Sequence, residues 1–394
     1  MQATDQKGTN KAACRRPKRS VATSRRQKRL AQFASPFDEL IGGLTAAAPQ
    51  AEDLADSFPA LLFALVSGYG TPSRREAAFN TILDGGSLKN AAEQLALPLW
   101  LRRLPSQSFV RPLPALSNDP QFAVRIANYV PEAAEGAREW LEDVAFASVI
   151  SDQSFALWVA RQAHTVPASR RGIVFLMIAA WHWHASQPDT LGYRLIEQTW
   201  SPKMGLRRAR EEMIKWRRRA DLACLIGDGI ESSWLKPGEA NGYSFVALTT
   251  LEDFLAESRE MHNCLDQYAD RLGSGLVRVF SIRREGRRVA NVEVGPMSRD
   301  RRRPAIVQLK AARNRRAPQA VRAAVEAWFD QQSLSRLTWR PGPVRRRNSD
   351  QARMQFWLPF LAALPRDQRD ALEVLVLSVK ARSEGRQRRQ ISRV

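Results

Sequence analysis

His262 and Cys264 are the first residues whose types suggest chemistry. An imidazole and a thiol two residues apart can make a metal pair or a thiolate nucleophile. The spacing argues otherwise if the segment is a regular helix. A helix turns ~100° per residue, so positions two apart point about 160° away from each other. One ion cannot take both unless the helix is broken there. The chain has three Cys, four His and no CxxC. The plainer reading is therefore a pair of border residues on a packed helix, with Cys264 kept beside it as a catalytic candidate.

A second set lies on strand-like segments. In Ala305, Val307, Leu309 and Ala311 apolar residues alternate with Ile306, Gln308 and Lys310. Upstream, Ala290, Val292 and Val294 alternate with Asn291 and Glu293. In an antiparallel sheet one face would be apolar and pack on helices. The other would present Asn291, Glu293, Gln308 and Lys310, with Ser281 and Arg283 if register allows. Glu293 is then a proton acceptor or the partner of Arg283 or Lys310. The simplest expectation for this face is a solvated surface with cross-strand pairs. It is nevertheless the best place for a site, with Arg313 and Asn314 at its rim. The catalytic candidates are thus Glu293, Gln308, Asn314 and Cys264. The candidates for holding phosphates are Arg283, Arg301, Arg302, Arg303, Lys310, Arg313, Arg315 and Arg316.

The elements that would position these residues follow from local pattern. Pro237-Gly238 and Asn241-Gly242 mark a break. A short strand at Tyr243–Leu248 follows, then a helix opened by Thr249 and Glu252 as a capping box. Leu251, Phe254, Ser258, Met261, Leu265, Tyr268 and Leu272 recur at three and four, which predicts one nearly unbroken helical stripe ended by Gly273 and Gly275. Strands are expected at Val277–Arg283, Arg287–Val294 and Pro304–Ala311, the first two joined by a hairpin turn at Glu285-Gly286. Pro318 opens a helix over Gln319–Gln331. Leu337–Trp339 reads as a further strand, and residues 351–379 as two helices broken at Pro365.

Upstream, residues 35–236 read as mostly helical. Segments are expected at Arg75–Leu83, Leu88–Leu97, Gln121–Tyr129, Ala137–His164, Ser169–Ser186, Thr190–Thr199 and Leu206–Ile226, with prolines in the gaps. The chain therefore reads as α+β: a helical domain over 35–236, a helix–hairpin–strand–helix domain over 240–335 and a helical extension over 336–379. Basic tails at 1–34 and 380–394, without apolar periodicity, are expected to be disordered.

Charge bounds the partner. The 394 residues carry a formal charge of +21 from 61 Lys and Arg against 40 Asp and Glu. The two tails hold 14 of those charges, and the rest cluster in Arg207–Arg219, Arg299–Arg316 and Arg340–Arg353. Basic side chains displace counterions condensed on phosphates, so nucleic acid is the expected partner, DNA in the first place. A bare solubility role is the alternative. An apolar fraction of 44% excludes full disorder. Apolar runs reach nine residues at Ile173–Trp181 against the ~20 a membrane span needs, so no membrane partner is expected. Few, scattered cysteines and a charged N-terminus without an apolar stretch point to a reducing, cytoplasmic setting.

Other motifs are weaker. Ser87–Leu97 has the cadence of a helix-turn-helix, with Arg102 and Arg103 on the piece that would read DNA, but apolar Leu99, Trp100, Leu101 and Leu104 favour a packed corner. His182 and His184 flank Trp183 in an apolar helix and fit core better than metal. Trp216, among Lys215 and Arg217–Arg219, either stacks a base or is the buried side of a basic helix. No G-x-x-x-x-G-K-[ST] occurs, so nucleotide hydrolysis of that type has no support, and no cofactor is expected.

Residues 243–330 resemble the PcfJ-like domain. The resemblance is carried by Met261-His262-Asn263-Cys264-Leu265, Tyr268-Ala269-Asp270-Arg271, Gly275, Val279–Arg283, Val289–Val294, Val307–Lys310 and Arg313-Asn314. Where that family often places His directly before the Cys, this chain has Asn263. The resemblance implies a link to conjugative plasmids or other mobile elements and to their DNA-processing machinery, without implying a reaction. Three functions follow: an accessory factor binding nucleic acid without turnover, an enzyme acting on nucleic acid or a nucleotide at the sheet's polar face, and an adaptor that recruits a protein partner of a transfer machinery.

Overall fold

The structure, a computed structural model, describes residues 30–364 apart from 114–115, 132–133, 135, 228, 231–234, 274, 276, 297–302 and 333–345, together with Lys28 and Arg369; the side chains at 168–171 and 346–349 also lie outside the description. The fold is mixed helix and sheet, and divides into two units, Met1–Phe175 and Leu176–Val394. No helix among the described residues is long and apolar enough to cross a membrane.

The described elements of the first unit are helical: α1 (Phe37–Ala47), α2 (Leu54–Ser57), α3 (Pro59–Val66), α4 (Pro72–Leu83), α5 (Leu88–Gln94), α6 (Pro120–Ile126), α7 (Ala137–Ile150), α8 (Gln153–Gln162) and the start of α9 (Ala168–Ala185). Polar caps set several starts. Thr71, Ser87, Asp119 and Asp152 each accept hydrogen bonds from first-turn amides, which satisfies donors the helix leaves orphaned. The Asp152 cap also explains why Ala137–His164 is two helices and not one. Leu99–Arg103 is a short 3₁₀ turn with Trp100 and Leu101 buried. Arg102 donates to Ser57 O and Arg103 to Ala127 O. The apolar residues Trp100, Leu101 and Leu104 make the packed corner, while Arg102 and Arg103 remain exposed beside these carbonyls.

In the second unit α10 (Leu191–Arg194) is far shorter than the expected Thr190–Thr199, and α11 (Leu206–Ile226) matches its expected bounds. Five strands follow in a meander, β1 (Gly238–Ala240), β2 (Tyr243–Ala247), β3 (Arg278–Arg284), β4 (Arg287–Pro296) and β5 (Pro304–Ala311), every neighbour antiparallel and in chain order. The stretch read as a break is itself a hairpin. Asn241 and Gly242 both have positive φ, as a two-residue turn between β1 and β2 requires, and Glu285-Gly286 repeats this between β3 and β4.

Helices α12 (Leu251–Met261), α13 (Ala269–Leu272) and α14 (Gln319–Asp330) belong to the sheet; α15 (Arg346–Ala363) follows them in the chain. The sheet has two cores, one on each face. On one, Phe245, Phe280, Ile282, Ala290 and Val292 pack on Val321, Ala324, Val325 and Trp328 of α14. Trp328 stacks on Phe245 with ring centroids 4.5 Å apart. On the other, Leu248, Val277 and Val279 pack on Phe254, Leu265, Tyr268 and Leu272, with Leu222 and Ile226 of α11. Alternation on β3 supplies both, since Phe280 and Ile282 face α14 while Val279 faces α12 and α13.

The expected solvated face is therefore wrong. Ser281, Asn291 and Glu293 are buried beneath the segment 251–272. The polar side chains of β3 and β4 hid this, because alternation shows which residues share a face but not what lies over it. The expected continuous helix over 251–272 is also broken. His262 adopts a left-handed conformation (φ 48°, ψ 47°) as the cap of α12, a 3₁₀ turn spans Leu265–Gln267, and α13 resumes at Ala269. Leu337–Trp339, residues 365–368 and 370–394 (the expected second helix of 351–379 and the C-terminal tail) and most of the N-terminal tail lie outside the described residues.

Candidate functional site

The break after α12 builds the site. The Asn263 amide donates to Ser258 O at 3.2 Å and closes the helix end. Asn263 Oδ1 accepts from Leu265 N at 3.2 Å, an Asx turn that redirects the chain. The Ser258 hydroxyl donates to Asn263 O at 2.7 Å, with Asp266 Oδ1 3.1 Å away. These bonds compete with helix continuation, which is why a regular apolar stripe did not yield a regular helix. The stripe is still buried; only the backbone between its parts has changed path.

Register then sets two rows of side chains under this segment. Ser281, Asn291 and Lys310 pair across β3, β4 and β5, and Val279, Glu293 and Gln308 form the next row. Asn263 Nδ2 donates to Asn291 Oδ1 at 2.7 Å, and Asn291 Nδ2 donates to Glu257 Oε1 at 2.6 Å. Glu257, fully buried, also accepts from Arg288 Nε at 2.6 Å, and Arg288 pairs further with Glu260. This chain of bonds ties α12 and the loop after it to the middle of the sheet.

Glu293 is the chemically distinctive member. Its carboxylate is 3% exposed, with Oε1 2.7 Å from Arg271 Nη2 of α13. Its partner is therefore Arg271, and neither Arg283 nor Lys310 as the strand pattern suggested. Tyr268 Oη lies 3.1 Å from Glu293 Oε2 and 3.0 Å from Gln308 Oε1. One hydroxyl carries one proton, so both contacts are satisfied together only if Gln308 turns its amide NH₂ toward the phenol or Glu293 is protonated. Burial raises the Glu293 pKa, against the pull of Arg271 and the Tyr268 hydroxyl. Burial and the Glu293 charge together push the Tyr268 phenol far up, so it stays neutral.

These side chains line a cavity of about 20 Å³ whose walls include Asn263, Cys264, Tyr268, Glu293, Gln308, Lys310 and Asn314. All four catalytic candidates, Glu293, Gln308, Asn314 and Cys264, thus meet with Lys310 in one pocket. A wider groove of about 420 Å³ shares Cys264, Tyr268 and Gln308 with it and is bounded by Arg218, Asp221, Asp270 and Arg271. Cys264 is exposed and Cys224 buried, the latter thiol pushed up to about 12, chiefly by burial. No cluster of three or more His, Cys, Asp or Glu suited to a metal occurs among the described residues.

The basic candidates separate. Arg313 and Asn314 both have positive φ, in a tight loop closed by Ala311 N donating to Arg315 O at 2.9 Å. The loop sends Asn314 to the polar pocket and Arg313, Arg315 and Arg316 to a third cavity of about 480 Å³, shared with Arg284, Tyr243 and Val289. Four arginines and no acidic residue line this cleft. Arg284 stands over the Tyr243 ring at 5.8 Å. Arg283 lies elsewhere, its Nε donating to Ser281 Oγ at 3.3 Å. Arg303 is exposed at the start of β5. Arg301 and Arg302 lie outside the described residues.

In the α11 block Arg219 turns inward, while Arg207, Arg208, Arg210 and Arg218 stay exposed. Arg219 is buried, its Nε 2.6 Å from Asp266 Oδ2 and its Nη2 2.6 Å from Glu197 Oε2. Glu212 takes Arg208 and Lys215, and Glu211 takes Arg207. Trp216 is 1% exposed and donates to Gly192 O, so it stacks no base. His184 is likewise core, within 5.3 Å of the Trp216 ring.

Sequence reasoning missed Tyr268 and Arg271 as site residues, although their spacing of three on one helical face was a signal, and missed Tyr243 and Arg284, which only the sheet brings to the cleft. No curated protein and no solved structure matches the chain. The family model described as PcfJ-like protein matches residues 231–325, and this PcfJ-like region contains both the polar pocket and the arginine cleft in full.

Proposed function

We propose that the PcfJ-like region binds nucleic acid by its phosphates at the arginine cleft. One observation carries the reading. Arg284, Arg313, Arg315 and Arg316 are exposed around one concavity, and among the described residues none of them enters an ion pair. The α11 cations, by contrast, largely spend their charge on neighbouring carboxylates. Unneutralised guanidinium groups held on a fixed loop offer the forked donors that phosphate oxygens accept. A place in the DNA-processing machinery of a plasmid or other mobile element is what the family resemblance adds.

The test is fluorescence anisotropy with labelled duplex and single strands across a range of salt. Binding should fall steeply as salt rises. Replacing Arg313, Arg315 and Arg316 together by Ala should lower the slope of log K against log salt by about 2 to 3, at ~0.7–0.9 per phosphate contact. Absence of binding, or a slope that the triple variant leaves unchanged, refutes the reading.

A further inference from the structure

The arginine cleft holds more than phosphate contacts require. Beside its four guanidinium groups it is lined by Val289, Ala311, Ala312, Pro318 and Val321, on the side of the sheet that packs on α14. Pro318 and Ala312 are exposed, and Val289 and Ala311 half-buried, so apolar surface here meets water. The volume, about 480 Å³, is in the ~300–1,000 Å³ range of sites that enclose a small molecule. It therefore has room for a nucleobase.

The sheet also sets a flat group at this end. Phe245 pairs with Ile282, and both face α14. Two residues on, the pleat returns Tyr243 and Arg284 to the same face, at the start of β2 and the end of β3. Tyr243 is buried at 8% exposure, and the exposed Arg284 carries its guanidinium 5.8 Å from the centre of that ring. The ring favours the cation and keeps it at the cleft. A guanidinium plane so held can stack a base.

We propose that the cleft takes single-stranded nucleic acid, with one unpaired base stacked on Arg284 against the apolar wall while Arg313, Arg315 and Arg316 meet the neighbouring phosphates. The inference rests on the phosphate-binding reading and narrows its substrate. A duplex keeps its bases paired inside and presents sugar and phosphate, which would leave the apolar wall wet. An unpaired base covers that wall and adds a stacking contact that is indifferent to sequence.

The experiment measures anisotropy of the full chain with three labelled probes of equal length: single-stranded oligothymidylate, the same backbone with abasic sugars, and a duplex. Oligothymidylate should bind at least ~5-fold tighter than the abasic strand, the worth of one stacked base, and that ratio should persist as salt rises. Arg284→Lys keeps the charge and loses the plane; at an exposed position it leaves the core untouched. It should cost oligothymidylate about 5-fold, with the salt slope unchanged, and leave the abasic strand and the duplex as they were. Equal binding of the strands with and without bases, or an Arg284→Lys effect shared by the duplex or absent from oligothymidylate, overturns the proposal and leaves phosphate binding standing. No binding of any probe overturns both.

Discussion

Removing Arg219 separates the two meanings that a basic helix can have. Its guanidinium sits between α11 and the turn that follows α12, with Nε 2.6 Å from Asp266 Oδ2. Both side chains are under a tenth exposed, at 8% and 5%. Arg219→Ala strands the Asp266 carboxylate with the Ser258 hydroxyl as its remaining side-chain partner. Breaking a buried pair from one side costs about 3–5 kcal/mol, because the orphaned charge loses its counter-ion without regaining water. Glu197 is half exposed and adds at most ~1 kcal/mol. Urea unfolding followed by circular dichroism should show that loss, and hydrogen exchange should accelerate first at the amides of 263–272. Removing both charges, as Arg219→Met with Asp266→Asn, should recover at least about half of it, since no charge is then left buried alone. A loss below ~1 kcal/mol together with weakened nucleic-acid binding would refute the structural role of Arg219.

Three further outcomes are expected. His262→Gly should be neutral or stabilising by up to about 1 kcal/mol, since φ 48° suits glycine, whereas in an unbroken helix it would cost about as much; thermal unfolding decides the sign. Gly192→Ala should destabilise by about 1–3 kcal/mol in urea, because a Cβ there would lie 2.3 Å from His184 Nδ1 in a ring fixed among aromatics, and an unchanged midpoint would show that the ring can yield. His184 donates from Nδ1 to Thr190 Oγ1 at 3.2 Å, while its buried Nε2 has no partner among the described residues. Burial depresses its pKa to about 4, below the unfolded value of 6.5. The folded state thus binds fewer protons, so stability is full above pH 6.5 and lost as pH falls toward 4, by about 3 kcal/mol in all. Unfolding across that window should show the decline, and His184→Phe should flatten it.

The strands of the candidate site were legible because each declares itself locally. Alternation in Arg287–Val294 and Pro304–Ala311, the Glu285-Gly286 turn and the Pro318 helix start are all short-range signals, and β3, β4, β5 and α14 follow them within a few residues. The β1–β2 hairpin was equally local, at Asn241-Gly242, and was read as a break because three residues of strand leave no alternation to see. The break at His262 was hidden for the opposite reason. The stripe from Leu251 to Leu272 is real and buried, and a stripe reports burial without reporting backbone continuity.

Pattern alone settled which residues could share a face: Asn291 with Glu293, and Gln308 with Lys310, are fixed two apart by the pleat and needed no tertiary knowledge. What covers that face, and which cation each carboxylate meets, depends on contacts distant in the chain. Asn263 reaches Asn291 across 28 residues, and Tyr268 reaches Gln308 across 40. Composition likewise established a surplus of arginine, but only the packing of α11 on the turn at Asp266, and the left-handed loop at Arg313 and Asn314, decided which guanidinium groups are neutralised inside and which face outward. Net charge adds up along a chain; whether a given charge is screened depends on neighbours that folding alone supplies.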